Sequence, residues 1–272
     1  MSLDYPSWPR MMVDNVVIDL LVRDAAMSLV VESLSTSTPL ALLSANLHYL
    51  HEFVDHPEWI YRRSASEVPH DQLHWVTLLD GMPLIRRANS LTGRRWPRLA
   101  GSDLLEPILI QAARLGSSVA FLGGTSETHH ALREILHSRI PTLRISGFWA
   151  PPQAELLDTH ASHRIASEIR EAKTGVLVVA LSKPLQEDWI ATYGLATGAV
   201  LFLSFGAAID FFAGRVTRAP NWISNIGAEW AWRLLHEPTR LWRRYLVYGP
   251  PAWYRLRRRA RLMASWTPHQ LG

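Results

Sequence analysis

Short apolar runs alternate with longer amphipathic stretches along most of the 272 residues, the pattern of strands and helices taking turns. Seven runs read as buried strands: 15–20, 40–44, 75–79, 118–122, 143–147, 175–180 and 199–205. Apolar positions at helical spacing follow in 46–54, 102–115, 125–139, 159–171 and 185–193. This order predicts an α/β fold, a largely parallel, Rossmann-like sheet flanked by helices. Ligands of open α/β sheets gather at the carboxyl ends of the strands. The residues to weigh are therefore Ser44-Ala45-Asn46, Asp80-Gly81, Gly123-Gly124-Thr125, Gly147-Phe148, Ser182-Lys183-Pro184 and those from Gly206 to Asp210.

From residue 227 the pattern changes to helical segments of Trp, Leu and Arg, broken at Pro238 and at Gly249-Pro250-Pro251. We expect a core over 1–226 and a basic, Trp/Arg-rich helical appendage over 227–272. The net charge of +4 is modest, but from Ala231 onward Glu237 is the only carboxylate side chain. Arg233, Arg240 and Arg243 lie seven and then three residues apart, so on a continuous helix they share a face able to grip a diphosphate. With Trp230, Trp232, Leu241 and Trp242 among them, this reads as an amphipathic helix lying in the headgroups of an anionic bilayer. Nucleic acid is the competing use of the charge, and the clustered Trp and Leu argue against it. A helix packed on the core with solvated arginines is the third reading.

With 48% hydrophobic residues the chain has ample material for a core. It has no cysteine, hence no disulfide and no Cys-ligated metal. The start, MSLDYPSWPRMMVDNVV, lacks the basic-then-apolar order of a signal peptide, so a cytoplasmic location is expected. The uncharged stretch 189–209 raises a membrane-spanning reading. Its glycines at 194, 198 and 206 fit better with a helix end, a turn and a strand.

Several residues could carry chemistry, each with a plainer alternative. Gly123-Gly124-Thr125 leads into a helix whose N-terminal N–H groups could hold a phosphate, or Thr125 simply caps that helix. It is neither a GxGxxG fingerprint nor a Walker A loop. Asp80 is placed to act as a general base, or forms an Asp-Gly turn. Ser44 and Asn46 orient a substrate or cap the following helix. Gln186 and Glu187 offer hydrogen bonds to a sugar or base edge, or lie on a solvated helix face. Asp210 sits among apolar residues, where burial without a partner would be costly. His48 with His51, and His129 with His130, lack a third ligand, so no metal site is expected. No G-x-S-x-G elbow is present.

Read in order, Ser44-Ala45-Asn46, Leu79-Asp80-Gly81, Arg98 to Asp103, Phe121 to Gly124, Pro184 to Glu187, Gly206 to Gly214, Arg218-Ala219-Pro220, Glu229-Trp230, Arg233, Glu237-Pro238, Arg240, Arg243 and Arg244 resemble the WecG/TagA/CpsF family of bacterial glycosyltransferases, glycosyltransferase family 26, over roughly residues 14–250. The resemblance implies inverting, metal-independent transfer, without a cofactor, from a UDP-sugar to a polyprenyl-diphosphate-linked saccharide. It also implies peripheral attachment to the inner face of the cell membrane. By the same resemblance Asp80 is the base, with Ser44 and Asn46 beside it, and Gln186 and Asp210 hold the nucleotide-sugar. Glu187 and the Gly123-Gly124-Thr125 turn are grouped with them. Arg98, Arg233, Arg240 and Arg243 hold phosphates or complete the site when the appendage docks. Phe148 is expected to stack on uracil from its place after a strand. The chain has Ser44, Ser182 and Leu185 where family members often have Thr, Gly and Lys. The missing lysine leaves the donor open among N-acetylmannosamine, its uronic acid and glucuronic acid. A membrane-associated nucleotide-sugar-binding protein without catalysis is the rival reading, and a homo-oligomer is compatible with either.

Overall fold

A computed structural model of the chain describes residues 8–55, 73–216, 220, 223 and 228–263. Nine strands form one sheet: β1 (Arg10–Val13), β2 (Val16–Asp19), β3 (Leu40–Ala45), β4 (His74–Leu79), β5 (Ser118–Gly123), β6 (Arg144–Trp149), β7 (Val176–Ala180), β8 (Leu201–Ser204) and β9 (Ala260–Leu262). The spatial order is β6-β5-β7-β8-β3-β4-β2-β1-β9. All pairings from β6 to β2 are parallel, and β1 and β9 close one edge as antiparallel strands. All seven expected strands are present. The stretch 189–209 is a helix end, a turn and β8, and no helix among the described residues is long and apolar enough to cross a membrane.

The central strands are apolar on both faces because helices cover both. Successive side chains point to opposite sides of a strand, so Leu40 and Leu42 join one core cluster while Ala41 and Leu43 join the other. One layer holds α1 (Arg23–Thr36), α4 (Gly101–Arg114), α5 (Ser126–Arg139) and α9 (Ala208–Phe212). The opposite layer holds α2 (Leu47–Phe53), α3 (Met82–Thr92), α6 (Gln153–Leu157), α7 (Thr159–Glu171) and α8 (Leu185–Tyr193).

The C-terminal segment comprises α10 (Glu229–His236), α11 (Pro238–Trp242), a π-helix (Arg243–Tyr248) and α12 (Gly249–Arg259). Pro238 opens α11, and Glu237 before it leaves helical backbone at φ −133° and ψ 57°. Pro250 and Pro251 have no N–H for the carbonyls four residues back, Leu246 and Val247. The wider winding of 243–248 accommodates this loss without breaking the rod. Beyond it, Ala252, Leu256 and Ala260 are buried in the second core cluster, and β9 pairs with β1, Met11 opposite Leu262 and Val13 opposite Ala260. The end of the tail is thus built into the sheet. Leu256→Ala is expected to cost about 2–5 kcal/mol of stability by leaving a cavity under α12. Urea unfolding followed by circular dichroism checks this, and an unchanged midpoint would mean that α12 is not packed there.

Candidate active site

Parallel pairing brings the carboxyl ends of β7, β8, β3 and β4 to one edge of the sheet, with Ala45 opposite Leu79 and Ser204 opposite both Leu43 and Val179. Asp80 is the first residue past β4. Its N–H donates to the Ala45 carbonyl at 2.9 Å, and the Ser44 hydroxyl donates to Asp80 Oδ2 at 2.7 Å. Gly81 follows at φ +93°, a conformation that turns the chain at once into α3 and that L-residues rarely adopt. Asp-Gly is therefore both a turn and a means of holding the carboxylate at the strand end. Burial raises the Asp80 carboxyl above its ordinary value. The Ser44 hydrogen bond and the Arg98 charge pull it back, while Glu229 and Asp103 push it further up.

Two cavities meet at Asp80. The first, of about 420 Å³, is the more polar of the two and lies over β7, β8 and β3, with Ser44, Lys183, Gln186, Ser204 and Gly206 in its wall. The second, of about 560 Å³, lies toward α3 and α12 and is lined largely by apolar groups, among them Met82, Tyr245 and Trp253. Asn46, His48, Asp80, Glu229, Arg233 and Arg244 line both.

Asn46 caps α2, its Oδ1 accepting from the N–H groups of His48 and Tyr49, so its amide nitrogen is the group left for a ligand. Gln186, in the wall of the polar cavity, and Glu187 behind it are both buried, which excludes a solvated helix face. Glu187 Oε1 accepts from Lys183 Nζ at 2.7 Å, Ser204 Oγ at 2.8 Å and Gln186 Nε2 at 2.9 Å. Gln186 Oε1 has no hydrogen-bond partner among the described residues and lies beside Gly206. Glu187 thus orients Gln186 and Lys183 from behind, and Gln186 is left with an acceptor to offer.

The other donor-side residues lie elsewhere. Gly123 and Gly124 are dictated by packing, since a Cβ on the first would come within 2.5 Å of the Ala180 carbonyl oxygen and one on the second within 2.8 Å of Ile209 Cδ1. Thr125 is exposed and caps α5 by accepting from Thr128 N–H. Asp210 is half-buried and accepts from Thr128 Oγ1 at 3.1 Å, which joins it to that turn. None of these four residues, nor Phe148, lines either cavity. Phe148 does not follow a strand but lies inside β6, which runs two residues further than expected. Its ring packs on Phe121 and His129 at centroid distances of 5.1 and 5.0 Å, under Arg133.

The arginines converge, but not on one helical face. Arg98 is held between Asp103, at 2.8 Å, and Glu229, which ties α10 to the core. Arg233 Nε and Nη2 have no hydrogen-bond partner among the described residues, and the Glu237 carboxylate is 3.9 Å away. Arg240 also pairs with Glu237 and is 55% exposed. Arg243 is exposed and lies over the Trp242 ring, at the edge of the polar cavity only. Arg244, about three turns beyond Arg233 and nearly in phase with it, lines both cavities as Arg233 does, whereas Arg243 does not. Burial lowers Arg244 from its ordinary value, with Arg233 and Arg240 adding to the fall and Asp80 opposing it.

From the sequence, Arg244 enters only through the family resemblance, without a role, and His48 is weighed only as a metal ligand. The signal for Arg244 was present, because it lies eleven residues, about three helical turns, beyond Arg233. His48 Nε2 lies 3.1 Å from Glu52 Oε1, and burial, with Arg244, Lys183 and His51 nearby, lowers His48 to about 3, so the ring is neutral at physiological pH. No group of three or more His, Asp or Glu residues able to hold a metal ion occurs among the described residues. Arg218, Ala219 and Gly227 lie outside those residues.

One curated relative is an N-acetylglucosaminyldiphosphoundecaprenol N-acetyl-beta-D-mannosaminyltransferase of Bacillus subtilis (strain 168), 27% identical over 171 residues. The aligned part is 62% of this chain and 63% of the relative, so the match spans less than two thirds of the relative's length. The sequence pattern of the Glycosyl transferase WecG/TagA/CpsF family matches residues 11–265, from β1 past β9 and through every element that bounds the two cavities. On that match the chain belongs to the WecG/TagA/CpsF family of glycosyl transferases.

Proposed function

We propose that this chain transfers a sugar from a UDP-sugar to a polyprenyl-diphosphate-linked saccharide. The observation that carries the reading is the position of Asp80 where a polar and an apolar cavity join. The donor occupies the polar cavity, its sugar near Gln186 Oε1 and its diphosphate among Arg233, Arg240, Arg243 and Arg244. The acceptor saccharide enters from the other side. Asp80 takes the proton as the acceptor oxygen bonds to the anomeric carbon, and the bond from that carbon to the phosphate oxygen breaks as UDP leaves. Attack from the cavity opposite the leaving group inverts the anomeric centre. The arginines, not a metal, meet the charge that develops on UDP. Ser44 and Arg98 favour the ionised form of Asp80 and partly offset the burial that raises its carboxyl.

Attachment to an anionic membrane surface belongs to the same reading. Of the eleven large hydrophobic side chains exposed among the described residues, seven lie between Trp230 and Tyr254. Arg240, Arg243, Arg257 and Arg258 are exposed in the same segment. The name of the Bacillus subtilis relative supports a lipid-linked acceptor. A screen of UDP-linked N-acetylmannosamine, its uronic acid and glucuronic acid against an N-acetylglucosamine-diphosphate-polyprenol acceptor tests the proposal by product mass. Release of UDP together with a product heavier by one sugar is expected. Donor binding without any transfer, across the whole screen, would instead favour a non-catalytic nucleotide-sugar-binding protein.

A further inference from the structure

We infer that the apolar cavity binds the isoprenoid chain immediately next to the acceptor's diphosphate, so that the protein recognises the lipid itself as well as the saccharide it carries. This rests on the glycosyl-transfer reading above. The cavity is amphiphilic along its length. Asp80, Glu229, Arg233 and Arg244 put charge at the end shared with the polar cavity, and Arg98, paired with Glu229, lines the apolar cavity beside them. The rest of its wall includes Met82, Pro83, Tyr245, Leu246, Pro250 and Trp253. An anionic head followed by an apolar chain matches that order of surfaces. A polar ligand would leave the apolar wall uncovered, and that wall favours only a ligand that brings apolar area out of water.

The mouth of the cavity gives the chain a route in. Leu246 and Trp253 belong to the wall and are also 56% and 45% exposed, and their neighbours Val247 and Tyr254 are exposed as well. The cavity therefore opens onto an apolar outer surface, and a lipid chain lying along that surface enters the cavity without crossing water, its diphosphate and saccharide leading toward Asp80. At about 560 Å³ the cavity is of a size that encloses a drug-sized ligand, and a long polyprenol exceeds it. Only the first isoprene units are enclosed.

The test uses three acceptors with one saccharide diphosphate, carrying a methyl group, two isoprene units or a full polyprenyl chain. The first two are assayed without vesicles, below the concentration at which micelles form. From methyl to two isoprene units KM is expected to fall at least about tenfold with kcat nearly constant. In Trp253→Ala and, separately, Leu246→Ala, the ratio is expected to shrink to within about threefold. Both sites are partly exposed, and thermal unfolding verifies that each variant folds. Equal KM values for the two short acceptors, with sugar transferred to both, overturn the inference and leave the transfer reading intact. A chain-length effect that survives both substitutions overturns it too, by placing the chain elsewhere. Transfer to none of the three acceptors overturns the transfer reading itself.

Discussion

Asp80→Asn is expected to slow sugar transfer by about a hundred- to ten-thousandfold while donor affinity stays within about threefold of wild type. Asparagine has nearly the shape of aspartate and can still accept the Ser44 hydrogen bond, so the strand end and both cavities should persist. What disappears is a group able to take the proton of the acceptor hydroxyl. Stability should move the other way. Burial raises the carboxyl of folded Asp80 above its unfolded value. Such a group favours the folded state below its unfolded pKa, and this contribution is lost as pH rises through the folded pKa. Above its unfolded pKa the Asp80 carboxyl therefore costs stability, and the variant should melt at the same temperature as wild type or higher, an advantage that vanishes in acid. The same shift places the acid limb of the wild-type rate profile above the range of an ordinary carboxylate. Ser44→Ala, which removes the bond that lowers the pKa, should move that limb further up. Near-normal turnover in Asp80→Asn would end the assignment of Asp80 as base.

Arg244→Ala should lower kcat by about a hundred- to thousandfold, the usual cost of removing one preorganised donor from a developing negative charge. Arg244→Lys should recover only part, because an ammonium cannot reproduce the planar fork of a guanidinium on a diphosphate. Arg243→Ala should cost about tenfold or less, since Arg243 is exposed and lies over Trp242. The comparison isolates the position that faces the cavities. At about 100° per residue, a helix through 233 sets Arg244 within about 20° of Arg233 but Arg243 about 80° away, and Arg244 lines both cavities whereas Arg243 lines only the polar one. Single-turnover kinetics on the three variants, with UDP binding measured by calorimetry, decides the point. A larger loss in Arg243→Ala than in Arg244→Ala would refute the assignment.

Most of the parallel strands were legible because burial on both faces demands nearly unbroken apolar runs, whereas β6, at the edge, has no buried residue. The two antiparallel edge strands were not. β9 is three residues in an arginine-rich stretch, Ala260-Arg261-Leu262, that becomes a strand only by pairing with β1. α1 and α3 were also missed. The apolar residues of α1 are spread around the helix, and α3 begins at Met82-Pro83, directly behind the turn at Gly81. The glycine pair at 123–124 shows a limit of another kind. Two glycines before a helix suit a phosphate loop and close packing equally well, and only the positions of the Ala180 carbonyl and the Ile209 side chain reveal the packing requirement.

By itself the sequence determined the α/β class, the strand ends at which chemistry would gather, and Asp80, Ser44 and Gln186 as residues at that edge, because period, turn residues and strand ends are local properties. Only the tertiary structure decided which side chains share a cavity. That depends on strand order, on the register that sets Ser204 beside Leu43, and on the helical phase that turns Arg244 inward. It also depends on the docking of α12 and β9, which brings the apolar wall of the C-terminal segment against α3. These relations join residues as far apart as Met11 and Leu262, and no local pattern encodes the geometry between them.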